Sequence, residues 1–163
     1  MDTVFVDSNI LIYSQDATDP RKQTKALEWL EYLWRTRTGR ISFQVLRELY
    51  VNVTRKVATP LSRTRAQTLI RLFLIWNPRP EDAEFFEVAW DIESKFKLSW
   101  WDSMIVAAAQ LSESRFLLTE DFQERIKLNK VTVINPFKTS AETFAREFPG
   151  LHPGLRNVAP PEQ

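Results

Sequence analysis

Four acidic positions stand where acids are unusual. Asp7 directly follows the apolar run Val4-Phe5-Val6, and Glu120-Asp121 follow Phe116-Leu117-Leu118-Thr119. Asp102 opens the apolar segment Met104-Ile105-Val106-Ala107-Ala108-Ala109, and Glu48 borders an apolar helical stripe. An unpaired carboxylate is expensive to bury. Several held close together repel unless they are protonated or bridged by a cation. With oxygen as the only donor type, the cation that suits them is Mg²⁺ or Mn²⁺. Such an ion polarises a phosphoryl oxygen and acidifies a bound water, which is the chemistry of phosphodiester hydrolysis.

Each acid alone also has a plainer role. Asp7, Ser8 and Asn9 suit a turn or cap after a strand. Glu48 can pair with Arg47 or Arg55. Asp102 can satisfy free N–H groups and the dipole at a helix start. Glu120 and Asp121 suit an ordinary turn. Their joint placement is what points to one site. Other chemistries are narrowed by what the chain lacks. There is no Cys, so no thiol nucleophile, disulfide or thiolate zinc site. A Ser-His-Asp triad would depend on the single His152, which lies among Pro149, Pro153 and Pro160. Only three Gly are present, which leaves no Gly-rich phosphate loop.

These acids need elements to hold them. The pattern predicts a short buried strand over Thr3–Asp7. Helices are predicted over about 21–38, stopped by Gly39, and from an N-cap at Ser42 to about Val57. Placed on a helical wheel, Val45, Leu46, Leu49, Tyr50 and Val53 form the core arc, with Glu48 just outside it. Further helices are predicted over about 62–75, from Pro80 to about Phe96, and over 102–114. Strands follow over 115–119 and 130–134, then a helix over about 140–148. Strands at both ends with helices between predict an α/β fold with a small parallel sheet. Ligands of such sheets gather outside the carboxyl ends of the strands, where strand order reverses. Asp7 and Thr119-Glu120-Asp121 end two strands, so parallel neighbours would bring them to one edge.

A chain of 163 residues suits one domain. Its expected extent is 1–148, with a loose Pro-rich tail over 149–163. Residues 1–80 carry 13 Lys/Arg against 7 Asp/Glu, whereas residues 81–163 carry 9 against 14. A basic half can meet phosphates while acids in the other bind metal; the same charges also serve as solvated helix faces. The acidic run from Glu81 to Glu93 lies mostly opposite Phe85, Val88 and Ile92 and is read as such a face. Of the six Trp, Trp100 and Trp101 adjoin Asp102, where they can stack on a base. The N-terminus carries Asp2 and Asp7 and no basic region, and no stretch is long and apolar enough to span a membrane. A cytoplasmic protein is expected.

Four segments in order resemble the motifs of PIN domains. They are Val4-Phe5-Val6-Asp7-Ser8-Asn9-Ile10-Leu11, Gln44-Val45-Leu46-Arg47-Glu48-Leu49-Tyr50, Trp101-Asp102-Ser103-Met104-Ile105-Val106 with its three following Ala, and Leu117-Leu118-Thr119-Glu120-Asp121-Phe122. The likeness runs from about residue 3 to 135 and is similar above all to VapC-type toxins of toxin–antitoxin pairs. It implies four or five strands in a parallel sheet flanked by helices, and a Mg²⁺- or Mn²⁺-dependent ribonuclease. It further implies a homodimer neutralised by an antitoxin protein. Carried over by position, Asp7, Glu48, Asp102 and Asp121 match the acidic quartet, with Asp7, Asp102 and Asp121 as metal ligands. Ser8, Asn9 and Thr119 match its polar support. Ser103 replaces a common Ala, and Glu120 competes with Asp121, which the Thr-any-Asp spacing favours. Two rival readings remain: a PIN-like module that binds RNA or protein without cutting, and an Asp7-based phosphotransfer domain. The second lacks an Asp at position 9, where Asn9 stands, and lacks a Lys ending a late strand.

Overall fold

A computed structural model describes residues 2–151. In chain order the elements are β1 (Val4–Val6), α1 (Ser8–Gln15), α2 (Pro20–Thr36), β2 (Gly39–Arg40), α3 (Phe43–Arg55) and α4 (Arg63–Leu74). Then come α5 (Ala83–Phe96), α6 (Trp100–Leu111), β3 (Phe116–Leu118), β4 (Lys127–Leu128), β5 (Val131–Ile134) and α7 (Ala141–Glu147). The strands form one five-stranded sheet in the order β2-β1-β3-β5-β4. All pairings are parallel except β4 with β5. This is the expected α/β class, with an antiparallel edge strand added.

The register aligns Val6 with Leu118 and Leu118 with Ile134, so three strands end together. The ladder continues one step further. The Asp7 N–H donates to the Leu118 carbonyl at 3.1 Å, and the Thr119 N–H donates to that of Ile134 at 3.1 Å. Every residue of β1 and β3 is buried. Successive strand residues point to opposite faces, so both faces of the sheet are covered. α6 covers β3 and β5 and packs along α5, burying Met104 through Ala109. From β1, the chain reaches β2 on one side and β3 on the other. The gap between β1 and β3 is therefore where the order reverses.

Local chemistry shifts several expected boundaries. Asp7 caps a helix that the sequence pattern does not announce: α1 starts at Ser8, within the polar Asp-Ser-Asn that reads as a turn. Gly39 does not stop α2; Arg37 does, in the left-handed region at φ 59°. Gly39 begins β2 instead, where an added Cβ would lie within 2.5–2.7 Å of three Trp76 ring atoms. The fifth helix starts after an Asp82 cap rather than at Pro80. The sixth starts at Trp100 under a Ser99 cap, whose hydroxyl accepts from the Asp102 N–H at 3.1 Å. Asp102 is thus the third residue of α6 and not its cap. The expected tail begins with a 3-10 turn, Pro149–Leu151, that buries Leu151. Its remainder, with His152, lies outside the described residues.

Candidate active site

The site forms at the carboxyl edge of β1 and β3. Asp7 is 5% exposed and is held at both oxygens. One accepts from the Ser8 N–H at 2.7 Å, and the other accepts from the Thr119 hydroxyl at 2.8 Å. Burial pushes the Asp7 carboxyl up to about 7; the Thr119 bond opposes this, the Asp121 charge adds to it, and Ser8 and Glu48 contribute smaller opposing and reinforcing effects. Ser8 bridges Asp7 to Glu48, and Thr119 bridges Asp7 to the Asp121 backbone, so the three acids stand close together.

Hydroxyl and amide groups join the acids. The Ser8 hydroxyl donates to one Glu48 oxygen and lies 3.4 Å from Asp7. The other Glu48 oxygen accepts from the Gln44 amide at 2.9 Å. Glu48 therefore makes no pair with Arg47, which binds Glu81 instead, or with Arg55. Asn9 donates to Asp121 at 3.0 Å. Thr119 couples the two strand ends: it donates to Asp7 and accepts from the Asp121 N–H at 3.2 Å. Asp121 is raised by burial, then by the charges of Glu120 and Asp102.

Asp102 enters this group by charge rather than by contact. It is half-buried, and its carboxylate accepts no hydrogen bond among the described residues. Glu120 turns away from the acids. The Tyr13 hydroxyl donates to one of its oxygens, and the Lys22 ammonium donates to the other at 2.8 Å. Thus Asp7, Glu48 and Asp121 are joined through Ser8, Asn9 and Thr119, the Asp102 charge acts on Asp121, and Glu120 is bound by Tyr13 and Lys22. Among the described residues, no three acidic, His or Cys side chains stand close enough to form a ready-made cation cage. Two side-chain oxygens are nevertheless buried there without a partner, Asn9 Oδ1 and Gln44 Oε1.

Sequence reasoning gives no role to Gln44, Tyr13 or Lys22. Gln44 carries a readable signal, being a polar residue on the buried face of α3 one turn before Glu48. Tyr13 and Lys22 carry none, because they meet Glu120 across about a hundred residues of chain.

The fold has solved relatives at low identity. A toxin–antitoxin complex from Klebsiella pneumoniae superposes with a TM-score of 0.55 at 18% identity, covering 82% of this chain and 98% of that one. VapBC2 from Rickettsia felis, bound to a promoter DNA fragment, gives 0.54 at 16% identity, covering 82% and 98%. VapC20 from Mycobacterium tuberculosis, a sarcin-ricin-loop-cleaving toxin, gives 0.50 at 20% identity, covering 71% and 87%. No curated protein sequence matches the chain. The PIN domain family model matches residues 4–128, well over half of the sequence, and the chain belongs to that family.

Proposed function

We propose that this PIN domain is a metal-dependent endoribonuclease, the toxin of a toxin–antitoxin pair. One observation carries the reading: acids from four elements gather at the strand-order reversal, with Asp7 buried among like charges. The solved relatives, named as toxins or toxin–antitoxin complexes, support the biological half of it. On that reading the partners are RNA, an antitoxin protein and a second copy of the chain, and the place of action is the cytoplasm. No described helix is long and apolar enough to cross a membrane.

The donor set suits a hard divalent cation. It is all oxygen, and the buried Asn9 Oδ1 is unpartnered. Mg²⁺ is usually held by one or two carboxylates and keeps several waters, so a three-acid cage is not required. Asp7, Asp102 and Asp121 would hold it. When bound, it supplies charge to a phosphoryl oxygen and acidifies a water. The chain does the rest. Thr119 and the Ser8 N–H fix the Asp7 carboxylate, and Asn9 aims Asp121. Ser8 and Gln44 fix the orientation of Glu48, which orients the attacking water and takes its proton.

The test is cleavage of a mixed RNA pool by purified chain with Mg²⁺ or Mn²⁺, with EDTA, and by an Asp7→Asn variant that stays folded. Cutting that needs both the metal and Asp7 is expected. Metal binding without cutting would overturn it in favour of a PIN-like binding module.

A further inference from the structure

Beside the acids lies a groove of about 680 Å³, lined by the first turns of α2 and by Phe137. That volume suits a nucleotide-sized ligand. Its cations are Arg21, Lys22 and Lys25, within one and a half turns of the helix. Arg21 is exposed and pairs with no acid among the described residues. Among the described residues Lys25 pairs only with Glu28, an exposed i,i+3 contact worth little. Asp19 also lines the rim, but its carboxylate caps α2 by accepting from the Lys22 N–H at 3.1 Å.

Lys22 ties the groove to the acid cluster. Its ammonium donates to Glu120 at 2.8 Å and to Tyr13 at 3.0 Å, and lies 4.5 Å from the Tyr13 ring centre and 5.0 Å from that of Phe137. Its charge reaches Asp121. Phe137 meets Tyr13 edge-on at 5.5 Å and supplies an apolar wall. Cations beside an aromatic wall are the pairing that holds single-stranded nucleic acid, through phosphates and base or ribose faces. A second basic groove, lined by Arg37, Arg40, Trp34 and Trp76, sits by the amino end of β1, away from the acids.

We propose that the Arg21–Lys22–Lys25–Phe137 groove holds the single-stranded RNA segment flanking the bond that is cut. This rests on the nuclease reading above and names where its substrate runs. Arg21 and Lys25 contact phosphates, Phe137 packs against a base or ribose, and the Lys22–Glu120–Tyr13 link forms the floor between groove and acids.

The test compares full-length Asp7→Asn with Asp7→Asn carrying Arg21→Ala and Lys25→Ala, and separately Phe137→Leu, for binding to a labelled single-stranded oligoribonucleotide across a salt series. Melting temperatures must match. The double Ala variant is expected to bind about tenfold more weakly, with a salt slope shallower by about 1.4, since each phosphate contact on a single strand contributes about 0.7. Phe137→Leu is expected to weaken binding about fivefold at unchanged slope. In the Asp7 background, Arg21→Ala with Lys25→Ala should raise KM and leave kcat. If wild type cuts RNA but these variants keep its affinity, slope and KM, the groove assignment falls and the nuclease reading stands. If folded wild type neither binds nor cuts RNA, both fall. Loss of binding to polyglutamate with RNA affinity unchanged would assign the groove to an acidic protein segment and overturn the proposal.

Discussion

Burial of the Asp7 carboxyl fixes the direction of a pH effect. Its ordinary value of 3.8 applies to the unfolded chain, and about 7 to the folded one. Between these the folded state holds a proton that the unfolded state has lost, so stability falls as pH rises through this window and levels off above it. Metal-free protein melted in EDTA should therefore be less stable at pH 8 than at pH 5. Asp7→Asn should flatten that difference by on the order of a few kcal/mol and gain stability at pH 8. A variant as pH-dependent as wild type would refute the burial effect. Both Glu48 oxygens are met, by Ser8 and by Gln44. Glu48→Gln should lower kcat about a hundredfold or more, within the range for a lost proton acceptor. Gln44→Leu should lower cleavage about tenfold with stability changed by less than about 1 kcal/mol. It removes a bond to Glu48 but also an oxygen buried without a partner. Steady-state cleavage and urea melts check both.

Elements set where the acids stand. Ser99 caps α6 through the N–H of Asp102, so the cap and the acid share one turn. Ser99→Ala should cost about 1 kcal/mol of stability and lower cleavage by freeing that turn. Unchanged cleavage at reduced stability would separate the two roles. β2 is constrained by an aromatic cluster. Trp76 lies 4.8 Å from Trp34 and 5.2 Å from Phe73 between ring centres, so it has little room to yield to a side chain at position 39. Gly39→Ala should destabilise by about 1–3 kcal/mol, as overpacking does, read by denaturant unfolding. The helical stripes of α2, α3 and α4 are legible because their apolar spacing repeats over many turns. α1 is not, because its first residues Ser8 and Asn9 favour turns as readily as helix starts. The two-residue strands β2 and β4 are too short to carry a period.

At the scale of the whole molecule, the proposed cation would relieve repulsion among the acids and would bind only the folded chain. Mg²⁺ or Mn²⁺ at about a hundred times its dissociation constant should stabilise by about 2.7 kcal/mol. Thermal melting should show this rise in wild type and lose most of it in Asp102→Asn; an equal rise in both would move the metal elsewhere. The sequence by itself determined the α/β class, the positions of the four acids and the two strand ends that carry Asp7 and Asp121. Apolar runs ending in acids, and four motifs in order, are properties of neighbouring residues. Only the tertiary structure decided that Glu120 turns to Tyr13 and Lys22 while Asp121 turns to Asn9. It alone decided that Glu48 is held by Ser8 and Gln44 rather than paired with an Arg. Which partner a carboxylate finds depends on distances between elements far apart in the chain, and these are fixed by strand order and helix packing, which no local pattern encodes.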